Sequence, residues 1–335
     1  MSAPVAINAR AAARTETGGV ERVARELALR LPELRPDRYR VVRPPRAFAH
    51  RAGQAWEQAV LPLATASARL ILSPANLAPL ASGRNVVYVH DAAPLREPSW
   101  FGRLYGAWHR AALRRIGASA RLLLVPSAFV KRELAELLGV AEERLRVVPP
   151  GVDTAFSPAA GPPPGRRRPY ILAVGTASAR KNLALLERIA AGLEAAGIEV
   201  VLAGSTRNYL RREEASAVRA LGYVAERDLP ALYAGAAALA MPSLYEGFGL
   251  PCVEAMACGT PVVASDRAAL PEACGGAALL ADPDDPAAFA DALRRAATDP
   301  SERERLRVAG LERAAVLSWE RTAALADAAI GELLS

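Results

Sequence analysis

Two glutamates, Glu246 and Glu254, stand eight positions apart in the segment PSLYEGFGLPCVEAMACGTPVV, residues 242–263. A buried strand is expected to end just before this segment, and a helix is expected to follow the glycine-containing turn at 247–249. Backbone N–H groups at such a helix start favour phosphate or hydroxyl-rich ligands. Carboxylates accept paired hydrogen bonds from sugar hydroxyls, so the two could hold a ribose and a second sugar. A helix-capping acid and a surface glutamate are the alternative.

A basic loop, Arg180-Lys181-Asn182, follows the expected strand Tyr170–Val174 and opens a helix. The chain has only two lysines, against forty arginines. Because an ammonium is a compact point charge and a guanidinium is planar, the two do not substitute freely at a charge-binding site. Cations in this context suit a diphosphate. The alternative is that a lysine occurs in this loop by chance.

Two segments of the first half also follow expected strands. Gly18 and Gly19, in the stretch TGGVER from Thr17, would let the backbone approach a ligand phosphate, although an ordinary strand–helix turn has the same composition. His90 follows the strand Val86–Val89, where the carboxyl ends of parallel strands collect ligands. A purely structural histidine is the alternative there.

No metal or cofactor is expected beyond the substrate itself. The run Asp282-Pro283-Asp284-Asp285 contains Asp-x-Asp, but it precedes a helix, where aspartate commonly caps the first turn. The three cysteines lack the spacing of a zinc site or a disulfide framework; they are Cys252, Cys258 and Cys274.

Positioning these residues requires an α/β architecture. Short apolar strands alternate with helical patterns along 335 residues, which predicts two domains with parallel sheets covered on both faces. The proline-rich stretch 157–169 is interpreted as the linker. Ligand sites of such sheets lie at the carboxyl ends of the strands, and two facing domains would share a cleft.

Charge is divided unevenly between the halves. Residues 1–150 carry 23 basic and 12 acidic side chains, whereas the chain as a whole has a net charge of +7. A basic surface attracts anionic partners such as phospholipid; solvated arginines without a partner are the alternative. The stretch 100–115 interleaves aromatics with arginines, as a membrane-surface helix or an ordinary helix would. Neither a membrane span nor a signal peptide is expected, which favours a cytoplasmic protein, with peripheral membrane contact as an option.

Residues 242–263 closely resemble the signature of retaining glycosyltransferases of family 4, which have the GT-B fold and two glutamates separated by seven residues. The stretch YVHDAAPLREPSWF, residues 88–101, resembles a subgroup that includes bacterial mannosyltransferases. The resemblance implies two Rossmann-like domains facing a cleft, an acceptor-side domain at 1–153 and a nucleotide-sugar domain at 170–315. The final helix, 316–335, would cross back to the first domain.

The resemblance also implies roles for individual residues. His90, Lys181 and Glu246 would act in catalysis, His90 near the transferred sugar and Lys181 on the donor diphosphate. Many members carry an arginine at the position of Thr176, so Arg180 would supply that second charge. The donor-binding set is Gly18, Gly19, Arg180, Lys181, Glu246, Gly247, Phe248, Gly249, Leu250 and Glu254.

The predicted activity is transfer of a hexose, with retention and without a metal, from a nucleotide-diphosphate sugar to a glycan, lipid-linked or small-molecule acceptor. GDP-mannose is the first candidate donor through the subgroup resemblance alone. Two other classes stay open: a related sugar-nucleotide epimerase or phosphorylase, and a non-catalytic module that binds anionic ligands. Nucleic acid is not expected as a partner, because the basic half lacks aromatic stacking platforms.

Overall fold

The computed structural model describes residues 4–14, 18–45, 48, 53–163, 165, 168–176, 178–204 and 218–335. The chain forms two compact units, Met1–Gly151 with Ser318–Ser335, and Val152–Leu317. It therefore passes between them at 151–152 and again at 317–318. The proline-rich stretch expected as a linker begins inside the second unit, so that interpretation is wrong: the helical turn Pro158–Ala160 belongs to this unit.

The first unit contains a six-stranded parallel sheet in the order β2-β1-β3-β4-β5-β6. Its strands β1, β3, β4 and β5 are buried throughout, as expected of parallel strands with helices on both faces. The strands are β1 Val5–Asn8, β2 Tyr39–Val42, β3 Leu70–Ser73, β4 Asn85–Tyr88, β5 Leu122–Val125 and β6 Leu145–Val147.

The helices of the first unit begin and end at recognisable signals. In the helix of residues 128–138, the Ser127 hydroxyl accepts a hydrogen bond from the amide of Val130, and Gly139 ends the helix at φ +62°. The helices are α1 Gly19–Leu34, α2 Gly53–Ala55 with its π-helical continuation Trp56–Val60, α3 Leu61–Ala64, α4 Ala93–Arg96, α5 Arg103–Ser119 and α6 Ala128–Leu138.

The second unit contains another six-stranded parallel sheet, in the order β12-β11-β10-β7-β8-β9. Counted within this unit, the order is that of dinucleotide-binding Rossmann folds. Its strands are β7 Tyr170–Val174, β8 Glu199–Ala203, β9 Val218–Gly222, β10 Ala238–Met241, β11 Val262–Ser265 and β12 Leu279–Ala281. Its helices are α7 Leu183–Ala195, α8 Leu229–Ala234, α9 Leu250–Ala257, α10 Leu270–Cys274, α11 Pro286–Thr298 and α12 Pro300–Ala315.

The last helix, α13 Trp319–Gly331, belongs to the first unit. Trp319 is buried in the same apolar cluster as strands β1 and β3. A Cβ on Gly151 would lie 2.2 Å from the backbone nitrogen of Trp319, so only glycine allows this approach of the two segments. Further along, Asp327 accepts hydrogen bonds from Arg38 and from the hydroxyl of Tyr39, which tie the helix to β2.

The predicted pair of parallel α/β sheets is confirmed, and the missed elements have two causes. β2 and β9 are edge strands with exposed or half-exposed residues, so they lack an apolar run. The segment 53–64 contains Pro62 and changes from α to π geometry, which leaves no clear helical period. Among the described residues, no helix is long and apolar enough to cross a bilayer.

Candidate functional site

The basic loop and the first glutamate meet at the point where the second sheet reverses its order. β7 and β10 are hydrogen-bonded neighbours. After β7 the chain continues to β8, toward one edge of the sheet, and after β10 it continues to β11, toward the other edge. Lys181 lies in the loop after β7, and Glu246 lies in the loop after β10. In open α/β sheets this crevice, outside the carboxyl ends of two diverging strands, is where ligands bind.

Three charged side chains form a compact cluster in this crevice. The Nζ atom of Lys181 lies 2.7 Å from Oε1 of Glu246, and Nη1 of Arg180 lies 3.6 Å from Oε2. The side chains of Lys181 and Glu246 are only 12% and 9% exposed. With two cations and one anion, the cluster keeps a net positive charge, which suits an anionic ligand.

The ionisation of Glu246 is set by these neighbours. Burial acts to raise the pKa of its carboxyl, but the charges of Lys181 and Arg180 outweigh burial and hold the pKa below its ordinary value. Glu246 is therefore a carboxylate at neutral pH. A carboxylate can accept hydrogen bonds from sugar hydroxyls and cannot donate one.

Backbone geometry holds the two loops together. The amide of Leu244 donates to the carbonyl of Arg180 at 2.7 Å. Gly175, at φ +148°, leaves space that the Lys181 side chain fills, because a Cβ there would lie 3.1 Å from its Cε. Asn182 takes the left-handed conformation at φ 49°, which asparagine tolerates better than most residues, and so turns the chain into α7. Thr176 is exposed, and Ala177 lies outside the described residues.

The glycine turn brings backbone amides to the start of α9. Gly249 has φ +111° and a Cβ there would lie 2.6 Å from Leu270, so only glycine fits. Phe248 is buried, while Leu250 begins the helix. The turn that follows Glu246 and Gly247 therefore requires glycine at position 249. In the first turn of the helix, Pro251 has no N–H and the amide of Cys252 donates to the carbonyl of Gly249 at 2.9 Å.

Glu254 has a different environment from Glu246. Its Oε2 accepts a hydrogen bond of 2.8 Å from the hydroxyl of Tyr233, and its side chain is buried within α9. Thr260 in turn donates to the Tyr233 carbonyl. Tyr233 was not among the sequence candidates, since a tyrosine in a short apolar helix carries no signal of its own.

In the first unit, the Gly18–Gly19 turn begins α1. The carboxylate of Glu21 accepts hydrogen bonds from the Gly18 amide and from Arg14, at 3.1 and 2.9 Å. The amide predicted to face a ligand phosphate thus donates to a side chain in this structure. Thr17, at the start of the predicted segment, lies outside the described residues.

His90 follows β4, as predicted, and its ring is fixed. Nε2 lies 2.9 Å from the carbonyl oxygen of Pro74, and the His90 amide donates to Asn76. A carbonyl only accepts, so Nε2 carries the proton and Nδ1 the lone pair. Burial lowers the pKa of His90 despite the opposing effects of the Pro74 carbonyl and nearby acids. The neutral ring can therefore accept a hydrogen bond at Nδ1.

A buried polar network at the ends of β1 and β3 was not predicted. Asn8 donates to Glu57 at 2.6 Å and to Ser73, and Arg10 pairs with Glu57 at 3.0 Å. Glu57 is in the π-helical segment, a geometry frequent at functional sites. Asn8 and Ser73 each end a buried strand with a polar side chain, which is the signal that could have identified them. Glu57 gives no such signal, because it lies in a segment without a recognisable period.

No group of three or more metal-ligating side chains comes together in the described part of the chain. Asp285 caps α11 through the amides of Ala287 and Ala288, as predicted. Asp282 and Asp284 both pair with Arg267. All three cysteines are buried free thiols.

Comparison with known proteins agrees with this geometry. A model of the family described as "Glycosyl transferases group 1" matches residues 168–299, and one described as "Glycosyltransferase Family 4" matches residues 64–156. O-antigen chain mannosyltransferase B of Escherichia coli is 32% identical over 71% of this chain and 67% of that protein. The chain belongs to glycosyltransferase family 4.

A second relative is also named as a mannosyltransferase. It is the MMP alpha-(1->4)-mannosyltransferase of Mycolicibacterium hassiacum, 35% identical over 63% of this chain. The match covers 54% of that protein, so the present chain matches only about half of its length.

Solved structures support the fold. Sucrose-phosphate synthase from Thermosynechococcus elongatus superposes with a TM-score of 0.76 at 21% identity, covering 99% of both chains. Together with the two parallel sheets, this likeness shows a GT-B glycosyltransferase fold.

Proposed function

We propose that this glycosyltransferase moves a hexose, with mannose from GDP-mannose as the first candidate, to a hydroxyl of a glycan, lipid-linked or small-molecule acceptor with retention of configuration. The observation that carries the proposal is the Arg180–Lys181–Glu246 cluster at the switch point of the Rossmann-like second unit. The names of two mannosyltransferase relatives support the choice of sugar.

The reaction needs charge stabilisation on the leaving group. The acceptor oxygen forms a bond to the anomeric carbon while the bond from that carbon to the diphosphate oxygen breaks. The electron pair leaves with the diphosphate, and its oxygen takes the acceptor proton. Lys181, Arg180 and the backbone amides of the 248–250 turn would stabilise this negative charge in place of a divalent metal.

The remaining residues would bind the sugars. Glu246, as a carboxylate, would accept hydrogen bonds from the donor hexose, and Glu254 would hold ribose hydroxyls. His90 would accept a hydrogen bond from a sugar hydroxyl through Nδ1. The Gly18–Gly19 turn would bind the donor phosphates once its amide is released from Glu21.

Donor identity and the role of Lys181 can be tested together. A thermal-shift screen of nucleoside diphosphates and their sugars should identify the donor, with GDP-mannose raising the melting temperature. Lys181→Ala should then lower turnover at least about 10²-fold, the scale of one strong charge-stabilising group. Glu254→Ala should lower it similarly.

The other lysine of the chain is a matched control. Lys131 pairs with Glu142 on the surface of the first unit, so Lys131→Ala should retain full turnover. Sugar transfer at the wild-type rate by Lys181→Ala would reject the proposal. Products from donor alone other than slow hydrolysis, such as an epimerised sugar, would point to the epimerase alternative.

We propose further that the protein works in the cytoplasm at an anionic membrane surface, through the first two turns of α5. Leu104, Tyr105 and Trp108 are 89%, 54% and 37% exposed there. The helix contains no acidic residue, and Arg103 and Arg110 have no acidic partner among the described residues. Apolar and cationic side chains on one surface helix suit anionic lipid.

Vesicle co-sedimentation tests this contact. The protein should sediment with phosphatidylglycerol-containing vesicles and not with pure phosphatidylcholine, and Leu104→Glu or Trp108→Glu should weaken binding about tenfold, as expected for losing one inserted apolar side chain. Val308→Glu, at a 42% exposed apolar position on α12, is the control and should bind normally. Equal binding by all variants would exclude α5 as the contact.

A further inference from the structure

Each oxygen of the Glu246 carboxylate lies beside a cation. Oε1 lies beside Lys181 at 2.7 Å and Oε2 lies 3.6 Å from Arg180. These are the two cations that the proposed function assigns to the donor diphosphate. Glu246 therefore already pairs with both cations that an incoming diphosphate would contact.

The cluster has little freedom to rearrange. The Lys181 chain lies against Gly175, the carbonyl of Arg180 accepts from Leu244, and the Ala269 amide lies 3.3 Å from the carbonyl of Glu246. The backbone of both loops is thus fixed while the side chains meet. A diphosphate bound at Lys181 would lie close to the Glu246 carboxylate, and two like charges at short range in a buried site repel each other.

We propose that Glu246 acts as an internal competitor for the donor diphosphate, which makes the site prefer the intact nucleotide sugar over the nucleoside diphosphate product. Hydroxyls of the hexose donate hydrogen bonds to Glu246, and these replace the ion pair with Lys181 that is lost when Lys181 binds the diphosphate. A nucleoside diphosphate has no hexose, so it binds against an uncompensated carboxylate. The same residue that holds the sugar would therefore promote product release. This inference rests on the proposed function.

The test is the affinity for GDP and for UDP, each measured by isothermal titration calorimetry at fixed ionic strength. Glu246→Gln removes the charge and keeps the shape, so the better-bound diphosphate should bind about tenfold tighter than to the wild type, while sugar transfer falls. Glu246→Asp, which keeps the charge but shortens its reach to Lys181, should tighten binding less. If one of the two variants does not fold, the diphosphate affinity of the other still tests the proposal.

Two controls separate competition from a general effect. Glu254→Gln changes another buried carboxylate of the same unit, one that accepts from Tyr233. It should weaken diphosphate binding and not tighten it, because the proposed function assigns Glu254 to the ribose hydroxyls. In a Lys181→Met background, Glu246→Gln should give a smaller gain, because one of the two contested cations is absent.

The outcomes distinguish the two proposals. If the wild type transfers sugar but neither Glu246 variant binds diphosphate more tightly, the competition is wrong and the glycosyltransferase site stands. A gain of undiminished size in the absence of Lys181 would also overturn it. If Lys181→Ala transfers sugar normally, the proposed site itself is wrong and the inference fails with it.

Discussion

At the scale of single residues, charge balance decides what the second unit can bind. Glu246 is buried, yet two cations keep its pKa below the ordinary value of 4.5, so it stays ionised. Because the folded pKa is depressed, the carboxylate adds stability that is fully present above about pH 4.5 and is lost as the pH falls through the folded pKa.

A pH series of unfolding measurements tests this assignment. From about pH 6 to about pH 3, the wild type should lose free energy of unfolding relative to Glu246→Gln, because only the wild type must protonate an ion-paired carboxylate. Urea unfolding at each pH gives the difference. A difference that stays constant over this range would show that Glu246 is not ion-paired in the folded protein.

At the scale of elements, glycines let the strand ends approach each other. Gly204 follows β8 at φ +151°, and a Cβ there would lie 2.0 Å from the carbonyl oxygen of Gly175, which follows β7. The Lys181 side chain in turn packs against Gly175. The position of the Lys181 ammonium thus depends on the absence of a side chain just after each of two adjacent strands.

Two glycine variants should therefore change the free energy of unfolding in opposite directions. Gly204→Ala should lower the free energy of unfolding by at least about 2 kcal/mol, through backbone strain and overlap, and should weaken nucleotide binding. Gly192→Ala, at an exposed position of α7 with no atom within 4 Å, should raise it by about 0.5–1 kcal/mol. Urea unfolding measures both, and a neutral Gly204→Ala would contradict the strain argument.

At the scale of the molecule, the chain builds separate apolar cores. The clusters of the first unit include Trp319 from the C-terminal helix, and those of the second unit include Phe289 of α11. Both side chains are buried completely or nearly so. The first unit is thus completed only by residues that follow the second unit in sequence.

Matched truncations should affect different units. Trp319→Ala and Phe289→Ala should each lower the free energy of unfolding by about 3–5 kcal/mol, the usual range for truncating a buried aromatic side chain. In hydrogen-exchange mass spectrometry, exchange should accelerate in β1 and β3 for the first variant, and in β10 and β11 for the second. Acceleration throughout the chain in both variants would indicate that the cores unfold as one.

The sequence by itself determined the fold class and the residues with the clearest chemistry. Apolar runs of strand length identify the buried strands, since a parallel strand covered on both faces must be apolar throughout. The spacing of Glu246 and Glu254 and the rare Lys181 predict a site in the second unit, because local residue type and position carry that information. Edge strands such as β9 escaped prediction because one side of them faces solvent.

Only the tertiary structure decided which groups touch. The pairing of Glu246 with Lys181, the hydrogen bond from Tyr233 to Glu254, and the burial of Glu57 beside Arg10 join residues far apart along the chain. Such contacts depend on strand order and on the close approach of backbones, which no local pattern encodes. The membership of α13 in the first unit has the same origin, since its apolar face could cover any core until the sheet order selects one.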